Sequence, residues 1–148
     1  MTAPQFQMME QPVTIAKENI TLNGFLSVPH LATGIVIFAH GSGSGRFSPR
    51  NRFVAHHLQQ ERIATLVVDL LTTDEAQDRR NVFDIDLLAN RVLMASMWLR
   101  EDARTKVLAL GYVGASTVQP PRSKRHRLSF HKLHDPKPPL DCRIPLTA

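Results

Sequence analysis

The sequence predicts an α/β class. An antiparallel hairpin leads into a parallel sheet flanked by helices over residues 1–118, and a disordered basic C-terminal tail follows over residues 119–148. Three observations predict it. Short, largely apolar runs recur at residues 35–39, 64–70 and 107–112, as strands buried on both faces require. Helix-periodic segments separate these runs, and strand, helix, strand, helix, strand implies parallel pairing with right-handed crossovers. The composition then changes near Val118. Lys and Arg balance Asp and Glu at 11 each over residues 1–118, whereas residues 119–148 hold seven against two, with six of the ten prolines. The net charge of +5 and the pI near 10 therefore describe the tail.

In chain order, residues 13–15 and 20–28 alternate in apolar character around Lys17, Glu18 and Asn19, the pattern of a hairpin. Residues 29–34 break it. The first buried strand, 35–39, runs into a Gly/Ser-rich loop at 40–45. Ser48 and Pro49 are a hydroxyl N-cap and a first-turn proline, so a helix is expected over about 50–61, burying Phe53, Val54 and Leu58. The second strand, 64–70, carries Asp69 near its carboxyl end, and 71–81 reads as a loop. From Asp84 to about Arg100 a helix should bury Ile85, Leu88, Val92, Ala95 and Leu99, leaving Arg91 and Arg100 off the stripe; Met94 and Trp98 read as core. A third buried strand follows at 107–112. Past Val118, Pro120 and Pro121 forbid a helix interior, and no period of 3.6 or 2.0 extends beyond Leu128.

Several classes are excluded or disfavoured. Cys142 has no partner in the chain, so this is not a disulfide scaffold. The longest charge-free stretch, 19–45, is interrupted by Gly24, Pro29, His30, Gly34 and His40, so no membrane span is expected. Residues 1–11 lack the apolar core of a secretory signal, and a cytoplasmic protein is expected. His56 and His57 are adjacent on a helix and point to different faces, and no metal or other cofactor is expected.

The chemistry concentrates in two segments. Gly114-Ala115-Ser116-Thr117 closes the third strand, where small residues around a serine allow the sharp turn that presents a nucleophile; Val118 stands where the G-x-S-x-G pattern has its last glycine. Upstream, His40-Gly41-Ser42-Gly43-Ser44-Gly45 follows the first parallel strand, where glycines let backbone N–H groups face an oxyanion. A dinucleotide loop would need G-x-G-x-x-G and an acidic residue about twenty positions on; the spacing here is G-x-G-x-G, and Asp69 lies too far downstream. Without Gly-Lys-Ser/Thr there is no P-loop. His40 reads either as a base or as a turn-holding residue, and Asp69 either lines a crevice or caps the next turn. Arg46, Arg50 and Arg52 either draw an anionic substrate or are simply solvated.

Residues 38–51 (FAHGSGSGRFSPRN), 67–72 (VVDLLT) and 110–117 (LGYVGAST) resemble the amino-terminal half of the α/β-hydrolase superfamily, in its dienelactone-hydrolase-like branch, over about four-fifths of the chain. The resemblance implies hydrolysis of a small-molecule ester or lactone. Ser116 would be the nucleophile, the backbone amides of Ser42 and Thr117 would form the oxyanion hole, and His40, Gly41 and Asp69 would lie towards the substrate. The family places its acid and histidine after later strands, in the order Ser, Asp, His. Here Asp135, Asp141, His126, His131 and His134 fall in a segment without strand periodicity. The expectation is an incomplete, inactive hydrolase chain, truncated or frame-shifted after the nucleophile turn, that self-associates. The alternative is a non-enzymatic binding protein whose basic tail contacts nucleic acid or another partner. Nucleic acid is the weaker partner, because the tail has Phe130 alone to interleave with its basic residues.

Overall fold

The computed structural model describes residues 10–40 and 45–115. The hairpin forms as its alternation requires. β1 (Gln11–Lys17) pairs with β2 (Ile20–Ser27) from Gln11 opposite Leu26 to Lys17 opposite Ile20, leaving Glu18 and Asn19 as a two-residue turn. Glu18 takes φ 53°, the positive value that tight hairpin turns favour. Then come β3 (Gly34–His40), α1 (Pro49–Gln60), β4 (Ile63–Val68), α2 (Arg79–Val82), α3 (Ile85–Glu101) and β5 (Ala109–Ala115). They build one mixed sheet in the order β1-β2-β4-β3-β5, antiparallel at β1–β2 and β2–β4 and parallel at β4–β3 and β3–β5. Gly24 lies where β2 meets β4; a Cβ there would come 3.0 Å from the Val67 carbonyl oxygen.

The two-residue period of the strands divides the core between two faces. Ile35, Ile37, Ala64, Leu66 and Val68 face α3 and pack with Met94, Ala95 and Leu99. Phe38 and Val67 face α1 and pack with Ala55. The α3 face holds most of the apolar mass, and each fully buried Leu or Ile there contributes about 1.5–3 kcal/mol.

Four expectations change. α1 buries Asn51, Ala55 and Gln59, with Phe53 66% exposed and Val54 at the exposed margin. Its inward stripe is set by Ala55 against the sheet and by Gln59 Nε2, which donates to Thr65 Oγ1 of β4 at 2.7 Å; residues 53 and 54 fall on the opposite side of the turn. On α3, Arg91 is buried and Ile85 is 80% exposed. Arg91 lies four residues before Ala95 and eight before Leu99, so helix geometry places it on the core face despite its charge. The loop expected at 71–81 contains a 3₁₀ turn (Glu75–Gln77) and the start of α2. That turn delivers the partner Arg91 needs, Glu75. Finally, β5 is only half-buried and lies at the sheet's edge among the described residues, with Val107 outside it and 83% exposed. Met94 and Trp98 join the core as expected. The tail expected over 119–148 lies outside the described residues, among which no helix is long and apolar enough to cross a membrane.

Candidate functional site

β3 and β5 are parallel neighbours, and their register sets His40 opposite Ala115. Neighbouring strands lie about 4.8 Å apart. His40 and Ala115 therefore stand at adjacent points on the sheet's carboxyl edge, the side where open α/β sheets bind ligands. Gly41, Ser42, Ser116 and Thr117 themselves lie outside the described residues, and His40 is the last residue of β3.

Asp69, the residue after β4, is held at its backbone, where its N–H donates to the Asn23 carbonyl oxygen at 2.9 Å. Its carboxylate turns to the far end of the glycine-rich segment. Oδ1 accepts the Arg46 backbone N–H and Oδ2 accepts the Arg46 guanidinium, each at 2.6 Å. The guanidinium also lies 4.7 Å from the Phe47 ring centre and 5.7 Å from that of Phe25, and the two rings meet edge to face at 5.5 Å. Such contacts add roughly 0.5–1 kcal/mol at an exposed site. Gly45 sits directly beneath this pair, since a Cβ there would be 3.0 Å from Asp69 Oδ1. Nothing in the local sequence announces this contact, because the two residues are 24 positions apart.

The next turn begins α1 as the Ser48-Pro49 pair predicts, with Ser48 Oγ accepting the Asn51 N–H at 3.5 Å. Of the three arginines around the loop, Arg46 is paired with Asp69 and Arg52 with Glu10 at 2.8 Å, while Arg50 is exposed. His56 and His57 are both exposed, their ring centres 6.4 Å apart and nearly perpendicular. No group of three His, Cys, Asp or Glu among the described residues is arranged to hold a metal ion.

On the α3 side of the same edge, Glu75 accepts the Thr72 N–H at Oε2 and the Arg91 guanidinium at Oε1. Burial raises the Glu75 carboxyl, but the Thr72 amide and the Arg91 guanidinium together outweigh it and hold the group below its ordinary value. The charge of Arg91 excluded it from an apolar stripe in the sequence. Its partner lies 16 residues away, in a segment with no helical or strand period.

No family model matches the chain. A Mycobacterium tuberculosis protein named "Putative phosphoribosyl transferase" is 46% identical over 110 residues, which are 74% of this chain and 25% of the relative. The crystal structure of dienelactone hydrolase from Anabaena variabilis is 50% identical, with a TM-score of 0.70, over 74% of this chain and 52% of that one. Est1E from Butyrivibrio proteoclasticus matches at 18% identity with a TM-score of 0.59, and the Pyrococcus furiosus esterase Pf2001 at 22% with 0.53. These last two bear on the fold alone. The chain thus spans about half the length of the Anabaena hydrolase and about a quarter of the mycobacterial relative.

Proposed function

We propose that this chain, which has the fold of the α/β hydrolases and resembles their dienelactone-hydrolase branch, carries the nucleophile and oxyanion hole of a serine hydrolase acting on small esters or lactones. Ser116 Oγ attacks the carbonyl carbon, and the amides of Ser42 and Thr117 hold the oxygen that becomes negative. Completing the reaction takes a base that moves the Ser116 proton to the departing alcohol as the ester C–O bond breaks, and that then activates water to cleave the acyl-serine and release the acid; without such a base the chain does not turn over.

The observation that carries this reading is the pairing of His40 with Ala115. It brings the chain to residues 41 and 116 from adjacent strand ends, and the two amides and the hydroxyl must converge on one carbonyl. The mycobacterial relative's name favours phosphoribosyl transfer less strongly. It describes a protein four times as long as the matched segment, and the same share of this chain matches half of a hydrolase at higher identity.

Turnover of nitrophenyl acetate by the chain is expected to equal that of Ser116→Ala. A serine needs a positioned base, and His126, His131 and His134 lie in a segment without strand periodicity. A hundredfold loss in Ser116→Ala would overturn that part of the proposal by revealing a working base. The nucleophile itself is tested separately by Ser116→Cys in a Cys142→Ser background. A thiol is a few per cent ionised at neutral pH and strongly nucleophilic without a base. It should release about one equivalent of nitrophenolate in a burst at least a hundredfold faster than free cysteine. A rate no faster than free cysteine would sink the reading.

A further inference from the structure

We propose that the β5 edge of the sheet and the flank of α3 beside it form a self-association surface, on which a second copy of this chain pairs its own β5 antiparallel across a twofold axis at Tyr112. The proposal stands apart from the hydrolase reading.

Two independent features meet on this surface. The first is the strand. Among the described residues β5 has β3 on one side and no strand on the other. Sheet edges are ordinarily blunted by charge or by proline. The opposite edge, β1, carries both, as Lys17 and Pro12. Residues 107–115 carry neither, and Leu108, Leu110 and Tyr112 are only partly covered by the core beneath α3. The second feature is the helix. Ala95 is fully buried and marks the side of α3 that meets the sheet. Ser96 lies about 100° round from it, and its Oγ meets the Tyr112 hydroxyl at 3.0 Å, so this flank looks towards β5. Ile85, Ala89 and Leu93 fall on the same flank, at about 80°, 120° and 160° in the same sense, and all three are exposed. An apolar stripe thus runs beside an unguarded strand edge.

Self-complementarity selects a second copy as the occupant. With the axis at Tyr112, all seven residues of β5 find partners. Leu110 of each chain stands opposite Gly114 of the other, and Gly111 opposite Val113, so large side chains meet small ones. The two Tyr112 residues meet at the axis. A twofold axis between antiparallel strands is perpendicular to the sheet, so both α3 helices lie on one face and run antiparallel. The charges nearest the exposed flank are Asp86 towards one end and Arg100 towards the other. Antiparallel helices therefore set opposite signs across the axis. The strand ladder supplies directional hydrogen bonds and the stripe supplies apolar area, and pairing the one unguarded edge closes the assembly at two copies.

Sedimentation of the full chain at micromolar concentration should show a dimer. Gly111→Lys sets a charge on either side of the axis and should raise the dissociation constant about tenfold or more. Gly111→Ala should leave it unchanged, since a Cβ there has ordinary contacts, the nearest with Val36 Cγ2 at 3.6 Å. Leu93→Lys should also weaken the dimer about tenfold; its position is exposed, so it decides alone if urea unfolding shows that Gly111→Lys does not fold. The register is read by oxidation in a Cys142→Ser background. Residues opposed in an antiparallel pair have Cα atoms about 4.5–5.5 Å apart, within disulfide reach. Tyr112→Cys should therefore form a covalent dimer, and Ala109→Cys, three residues from the axis, should not. A monomer overturns the proposal; if its β5 amides nevertheless resist deuterium exchange, the chain covers this edge itself. Open-ended polymers overturn it, as does a dimer indifferent to both lysine substitutions. Equal cross-linking through Ala109→Cys and Tyr112→Cys overturns the pairing at Tyr112.

Discussion

The two helix-covered faces of the sheet are stabilised differently. Under α3 the strands present Ile35, Ile37, Leu66 and Val68 to Met94, Ala95 and Leu99, and the one buried charge among the described residues, Arg91, is met by Glu75. Under α1 the apolar contact is confined to Phe38, Val67 and Ala55 with partly buried neighbours, and a hydrogen bond from Gln59 to Thr65 is sealed beneath the helix. An apolar face gains free energy with every carbon removed from water. A polar buried pair contributes little net stability while intact and costs much when one member is left unpaired. The α3 face therefore carries the stability of the domain, and the α1 face orients a helix whose first turn follows the glycine-rich segment.

The largest expected effect tests the first half of that contrast. Leu66 is fully buried on the α3 face. Leu66→Ala is expected to destabilise the chain by about 2–5 kcal/mol, the range of cavity-forming substitutions in a packed core. Urea unfolding would measure it, and a loss below about 1 kcal/mol would show that this face is not where the stability resides.

A middle-sized effect belongs to the single charged pair of that face. Glu75→Gln keeps an oxygen for the Arg91 guanidinium but removes the opposing charge, for an expected loss of about 1–2 kcal/mol at neutral pH. The folded-state Glu75 carboxyl lies below its ordinary value, so its contribution is complete above the unfolded-state value of about 4.3 and is lost as pH falls through the folded value. The stability gap between parent and variant should accordingly be constant above about pH 5 and close on acidification. A gap that widens in acid would contradict the assignment of the pair.

The smallest effect sharpens the contrast from the other side. Phe53 is on α1 and two-thirds exposed, so Phe53→Ser should change stability by no more than about 0.5 kcal/mol, read from the same unfolding curves. A loss of 2 kcal/mol or more would mean that the outer surface of α1 is covered after all.

Much of this was legible in the residues because the information is local. The largely apolar runs within β3 and β4 marked strands buried on two faces, and the alternation before them marked a hairpin. Ser48 and Pro49 marked the start of α1 to within a residue, and Met94 and Trp98 read as core from their apolar character. These features depend on neighbours within one turn or one strand, where the periods of 3.6 and 2.0 hold.

Local period could not decide which face of α1 turns inward, because Phe53 and Val54 outweigh Asn51 and Gln59 in hydrophobicity, and only the position of Thr65 on β4 selects the polar stripe. Nor could it bury Arg91, whose cost of desolvation is tolerable only beside Glu75, or explain the half-exposure of β5, which follows from its place at the end of the strand order. The residues along the chain were enough for the α/β class and the hairpin. Tertiary structure decided the partners: Asp69 with Arg46 and Gly45, Glu75 with Arg91, and Gln59 with Thr65. A side chain's period is written in its neighbours along the chain. Whether a charge or an amide can be buried depends on a partner brought near only by the packing of the sheet.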